Sequence, residues 1–111
     1  HIVIKCKQLG ERSDLPTIRE FQELMKKMYI HRDVKRGPDR TMLWLVSEVG
    51  EFVDAFVKND RSSIQDEAAD VLAWLCSICN LLEVDLEQTV MKKYRTCPLC
   101  KSLPCKCTRE P

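Results

Sequence analysis

Glycine and proline are scarce in this chain, three and five in 111 residues. That argues against an all-β fold, which would need many tight turns. A long apolar run is also missing. The longest, Val71 to Leu82, is too short to span a bilayer and is interrupted by Ser77 and Asn80. No targeting segment is legible, so the expected location is cytoplasmic and no membrane partner is expected. Charge of one sign is absent too: 18 Lys and Arg against 17 Asp and Glu leave a net +1. Polyanion binding driven by global charge is thereby ruled out. What is present, 44% hydrophobic and 32% charged residues, belongs to a soluble globular protein. At this length roughly two-thirds of the unfolded surface can be buried, enough for one modest core that a partner chain would complete.

The first sixteen residues have no helical period and read as an extended arm or short strand. From Pro16 and Thr17 a helical pattern opens, with Ile18, Phe21, Leu24, Met25 and Met28 at steps of three and four. It is expected to end near His31, before Gly37-Pro38. Asp39 suits the N-cap of a second helix to about Lys58, with Leu43, Val46, Val49, Phe52, Val53 and Phe56 as its apolar face. Ser62 or Ser63 would cap a third, carrying Ile64, Ala68, Val71, Leu72, Leu75, Ile78, Cys79 and Leu82. Asp85 with Gln88 resembles a capping box for a short fourth helix ending near Tyr94.

Two acidic pairs lie on the central helices. Glu48 and Glu51 are three apart and share a face with Trp44 and Ala55; Glu67 and Asp70 are three apart, with Trp74 one turn on. An antiparallel helix pair would let these faces meet. Four gathered carboxylates repel unless protonated or neutralised by cations, and hard oxygen donors suit Mg²⁺ or Mn²⁺. Solvent-facing glutamates are the plainer alternative. Di-iron chemistry is excluded, because it needs Glu-x-x-His and neither His1 nor His31 is so placed.

The runs LWLVSEVGEFVDAF and DEAADVLAWLCSICNLLEVDLEQTVMKKY resemble the MazG-like nucleotide pyrophosphohydrolase family, part of the all-α NTP pyrophosphatase superfamily. The similarity covers about Thr17 to Tyr94. The family motif is Glu-Glu-x-x-Glu, a spacer, then Glu-x-x-Asp. Its second and third acids fall on Glu48 and Glu51 and its last pair on Glu67 and Asp70, while Ser47 replaces the first acid. The resemblance implies Mg²⁺-dependent cleavage of a nucleoside triphosphate between its α and β phosphates, giving a monophosphate and pyrophosphate, with housecleaning of the nucleotide pool as the expected role. Glu48, Glu51, Glu67 and Asp70 are then the expected metal ligands. Glu67, with Glu48, is the expected catalytic group, Glu67 as ligand or as base toward the attacking water.

Further candidates carry competing readings. Arg36 precedes the metal helix and suits a phosphate contact. Lys92 and Lys93 would reach a triphosphate, or simply answer the dipole of the fourth helix. Trp44 and Trp74 suit base stacking or the core, and Asn80 a base edge. Arg32, Lys35 and Arg40 are best read as solvated. Cys76 and Cys79 are read as buried apolar thiols.

The tail is distinct. Cys97, Cys100, Cys105 and Cys107 crowd into eleven residues and supply four thiolates, a tetrahedral Zn²⁺ set of structural type. Two disulfides or a disordered tail are the alternatives. No aromatic follows Tyr94, so nucleic-acid stacking by this basic segment is unsupported. The expected architecture is an all-α bundle of three to four helices over residues 17–95, with an arm at 1–16 and a zinc knuckle at 96–111. Oligomerisation to a homodimer or a dimer of dimers would complete it. A non-enzymatic zinc-containing adaptor for nucleic acid or protein is the competing class.

Overall fold

The structure, a computed structural model, describes residues 14–110. The expected arm lies outside the described residues except for its last three. Among them there are four helices and no strand: α1 (Ile18–Arg36), α2 (Pro38–Val57), α3 (Arg61–Leu81) and α4 (Leu86–Lys93).

A reciprocal capping box opens α1: Glu20 N donates to Thr17 Oγ1 (3.2 Å) and Thr17 N to Glu20 Oε1 (2.8 Å). The helix runs past His31 to Arg36, further than its apolar stripe. Arg32 and Lys35 stay exposed while Asp33 turns inward, so the added turn buries a polar group that the apolar period does not register. Gly37, at φ 87°, ends the helix in a region other residues avoid. Pro38 begins α2 directly, making no use of an Asp39 cap, because a proline lacks only an N–H that the first turn leaves unpaired anyway.

The α2–α3 turn is a Schellman closure. Asp60 N donates to Ala55 O (3.1 Å) and Asn59 N to Phe56 O (2.9 Å), with Asn59 at φ 54°. Asp60, not Ser62 or Ser63, then caps α3 through Ser63 N (3.2 Å). A second closure ends α3, with Val84 N on Cys79 O (2.9 Å) and Glu83 at φ 56°. Asp85 caps α4 through Gln88 N (3.0 Å).

α2 and α3 form an antiparallel hairpin, α1 lies across α3, and α4 packs on α1. Buried Gln22 ties these parts together. Its Nε2 donates to Asn80 Oδ1 (3.0 Å) and Val84 O (2.7 Å), and its Oε1 accepts from Leu86 N (2.9 Å). Arg19 adds ion pairs to Asp85 (2.8 Å) and Glu87 (3.3 Å). The apolar core is small: Met25, Ala55, Cys76, Ile78 and Cys79. Burial pushes the Cys76 thiol up to about 11, which leaves it an inert apolar group. Along α2, in contrast, Leu43, Val46, Val53 and Phe56 are more than half exposed.

Candidate active site

The hairpin brings Glu48 of the first acidic pair to both acids of the second. One carboxylate oxygen from each of Glu48, Glu67 and Asp70 lies within 4.8 Å of the others. Glu48 projects from mid-α2 and Glu67 and Asp70 from successive turns of α3, so the short turn at Lys58–Asp60 sets their register. Glu48 Oε2 and Glu67 Oε1 are buried and have no hydrogen-bond partner. Among the described residues, no Lys or Arg pairs with any of these carboxylates. Burial, then the facing Glu67 and the charges of Glu51 and Asp70, push Glu48 up to about 7. Burial likewise raises Glu67.

Orphaned carboxylate oxygens at this density ask for a cation, and all-oxygen donors fit Mg²⁺ or Mn²⁺. Glu51 is exposed and stands outside the trio, although its charge is felt by both glutamates. Ser47 is exposed beside the trio and contributes nothing to it.

Next to Asp70 opens a cleft of about 330 Å³ lined by Tyr29, Arg32, Asp33, Arg36, Ala73, Trp74 and Ser77. Arg36 is held in place there: its Nη1 donates to Asp33 Oδ1 (2.9 Å) and Thr41 Oγ1 (3.2 Å), and its guanidinium lies 4.6 Å from the Trp74 ring centre. Trp74 stacks on Trp44 at 5.6 Å and 10°. The two indoles therefore contact each other, with Trp44 remaining 47% exposed. Asn80 is brought to Gln22 instead, through both ends of its amide. Lys92 and Lys93 are exposed on α4, the helix that packs on α1.

Asp33, 1% exposed with Oδ2 unpartnered, leaves no mark on the apolar period, and Arg32, exposed as its sequence reading expects, also lines the cleft. The available signal was the Asp33–Arg36 spacing of three just before a glycine.

This constellation of metal-suited carboxylates on a helical hairpin beside a cleft agrees with what sequence comparison finds. The chain belongs to the MazG nucleotide pyrophosphohydrolase family, whose domain model matches residues 36–98. It is 31% identical over 96 residues to dCTP pyrophosphatase 1 of Mus musculus, covering 73% of this chain and 56% of that protein. The Bos taurus dCTP pyrophosphatase 1 is 28% identical over 99 residues, covering 76% and 59%. The Rattus norvegicus protein of that name is 30% identical over 96 residues, covering 73% and 56%. The matched region thus spans little more than half the length of these curated relatives.

Proposed function

We propose that this chain hydrolyses nucleoside triphosphates between the α and β phosphates, releasing a nucleoside monophosphate and pyrophosphate. The supporting observation is the trio Glu48, Glu67 and Asp70, with its two buried unpartnered oxygens. These three, with Glu51 at the rim, would hold Mg²⁺ or Mn²⁺. Bound there, such an ion would offset substrate charge and lower the pKa of the attacking water. Glu67, with one orphaned oxygen, accepts the proton of that water as its oxygen joins the α-phosphorus. The bond to the bridging oxygen breaks and pyrophosphate leaves. Arg32 faces the phosphates from the cleft, while Arg36, itself held by Asp33, is a positioning residue that lies against Trp74. The open side of Trp44 receives the base.

The relatives' name makes dCTP the first nucleotide to test on this chain. No helix of the described residues is long and apolar enough to cross a membrane. A cytoplasmic site of action fits the free thiols at Cys76, Cys79 and the four tail positions. The exposed apolar stripe of α2 supports a homo-oligomer.

The test is pyrophosphate release from a panel of ribo- and deoxynucleoside triphosphates, with and without Mg²⁺. Release is expected only with Mg²⁺, falling by about 10²–10⁴-fold in Glu67→Gln. Orthophosphate as the product, or no turnover of any nucleotide, would overturn the proposal, and the latter result would favour the adaptor reading.

A further inference from the structure

The described tail after α4, residues 94–110, contains no helix and no strand. Its large apolar side chains, Leu99 and Leu103, are 83% and 81% exposed, so no apolar core orders it. What lies at its centre is sulfur. One Sγ from each of Cys97, Cys100, Cys105 and Cys107 falls within 4.8 Å of all the others. Cys97 Sγ and Cys107 Sγ are 3.8 Å apart, and Cys100 Sγ and Cys105 Sγ 3.9 Å. Zn–S bonds of about 2.3 Å in a tetrahedron place sulfurs about 3.8 Å apart, so the cage has the size of one ion. A disulfide would need about 2.05 Å. An iron–sulfur cluster would need a wider cage, because several metal atoms would stand between the thiolates.

The backbone is arranged around the same point. Lys101 N donates to Cys97 O (2.8 Å) and Cys97 N to Ser102 O (3.0 Å), folding the first cysteine pair into a closed turn through Lys101 at φ 62°. Lys106 N and Cys107 N point at sulfur, donating to Cys100 Sγ and Cys105 Sγ at 3.3 Å each. Such N–H groups stabilise thiolates, not thiols. The surrounding charge agrees: Arg95, Lys101, Lys106 and Arg109 face a single carboxylate, Glu110, over this segment.

We propose that Cys97, Cys100, Cys105 and Cys107 bind one Zn²⁺ and that this ion, not an apolar core, folds the tail. Four Zn–S bonds form, four thiol protons pass to solvent, and the resulting dianion is balanced by the neighbouring Lys and Arg. With all four positions taken by protein the ion is structural and takes no substrate. The site is independent of the carboxylate trio and of the activity proposed for it.

The test uses the full chain, expressed in a reducing cytoplasm, and metal analysis. About one zinc per chain is expected. Cys97→Ser and Cys105→Ser should each lower it at least ten-fold, while Glu67→Gln leaves it unchanged. Replacing zinc with Co²⁺ in the parent protein should produce the strong visible bands and sulfur-to-metal charge transfer of a tetrahedral thiolate site, whether or not the Ser variants fold. Iron in place of zinc, zinc retained in both Ser variants, zinc lost in Glu67→Gln, or a weak octahedral Co²⁺ spectrum would each overturn the assignment.

Discussion

Glu48 is where stability and chemistry oppose each other most directly. Its carboxylate is partly buried among Glu67, Asp70 and the charge of Glu51, and these neighbours disfavour its ionised form. Glu48→Gln removes one charge at nearly constant shape. In metal-free buffer at pH 8 the variant is expected to be more stable than the parent by about 1 kcal/mol, roughly 4–8 °C in Tm for a domain of this size. Adding Mg²⁺ should raise the parent's Tm and leave the variant's nearly unmoved, with turnover lost in the variant. Thermal melts with and without Mg²⁺ check this, and a variant that gains as much from Mg²⁺ as the parent would remove Glu48 from the ligand set. The acids at 48, 67 and 70 were legible because helical steps of three and four project them onto two facing surfaces. That Glu51 stands outside the trio was not legible, since its distance from α3 depends on how the two helices rotate against each other.

At the scale of elements, helix ends carry the information that periodicity lacks. Asn59 and Glu83 both occupy left-handed backbone in Schellman closures. Asn tolerates that region, whereas Glu pays about 1–2 kcal/mol for it. Glycine there removes the strain but loses about 0.5–1 kcal/mol to greater freedom in the unfolded chain. Glu83→Gly is therefore expected to stabilise the protein by about 0.5–1 kcal/mol, measured by urea denaturation. A loss of stability would show that the Glu83 side chain makes a contribution the closure does not need. The extension of α1 to Arg36 belongs to this scale too. An apolar count stops near His31, but the last turn is held by Asp33 and Arg36, whose pairing is seen only once α2 and α3 cover it.

For the whole molecule, the face of α2 most regular in sequence is the one left uncovered. Val46 is 68% exposed and Phe56 72%, and the buried residues of α2 are Thr41 and Ala55 instead. A stripe of this kind on a helix is paired in a stable protein. The chain is expected to run as a dimer or larger by light scattering. Val46→Glu should shift it to monomer, since an exposed charge is nearly neutral in the monomer, within about 0.5 kcal/mol, but costly in an apolar interface. A parent protein that is monomeric at all concentrations would overturn this.

The all-helical class, the acidic pairs and the four tail cysteines are set by local chemistry. Helical period, capping residues and ligand spacing act within one or two turns, so they can be read along the chain without knowing what packs where. The rest depends on distances between residues far apart in sequence. Only the packed structure decides that Trp44 stacks on Trp74 under Arg36, that Asn80 serves Gln22, that Asp33 is buried beside the cleft, and that the apolar stripe of α2 faces outward. Rotating one helix by a single residue's step, about 100°, would exchange these partners while leaving every local signal as it is.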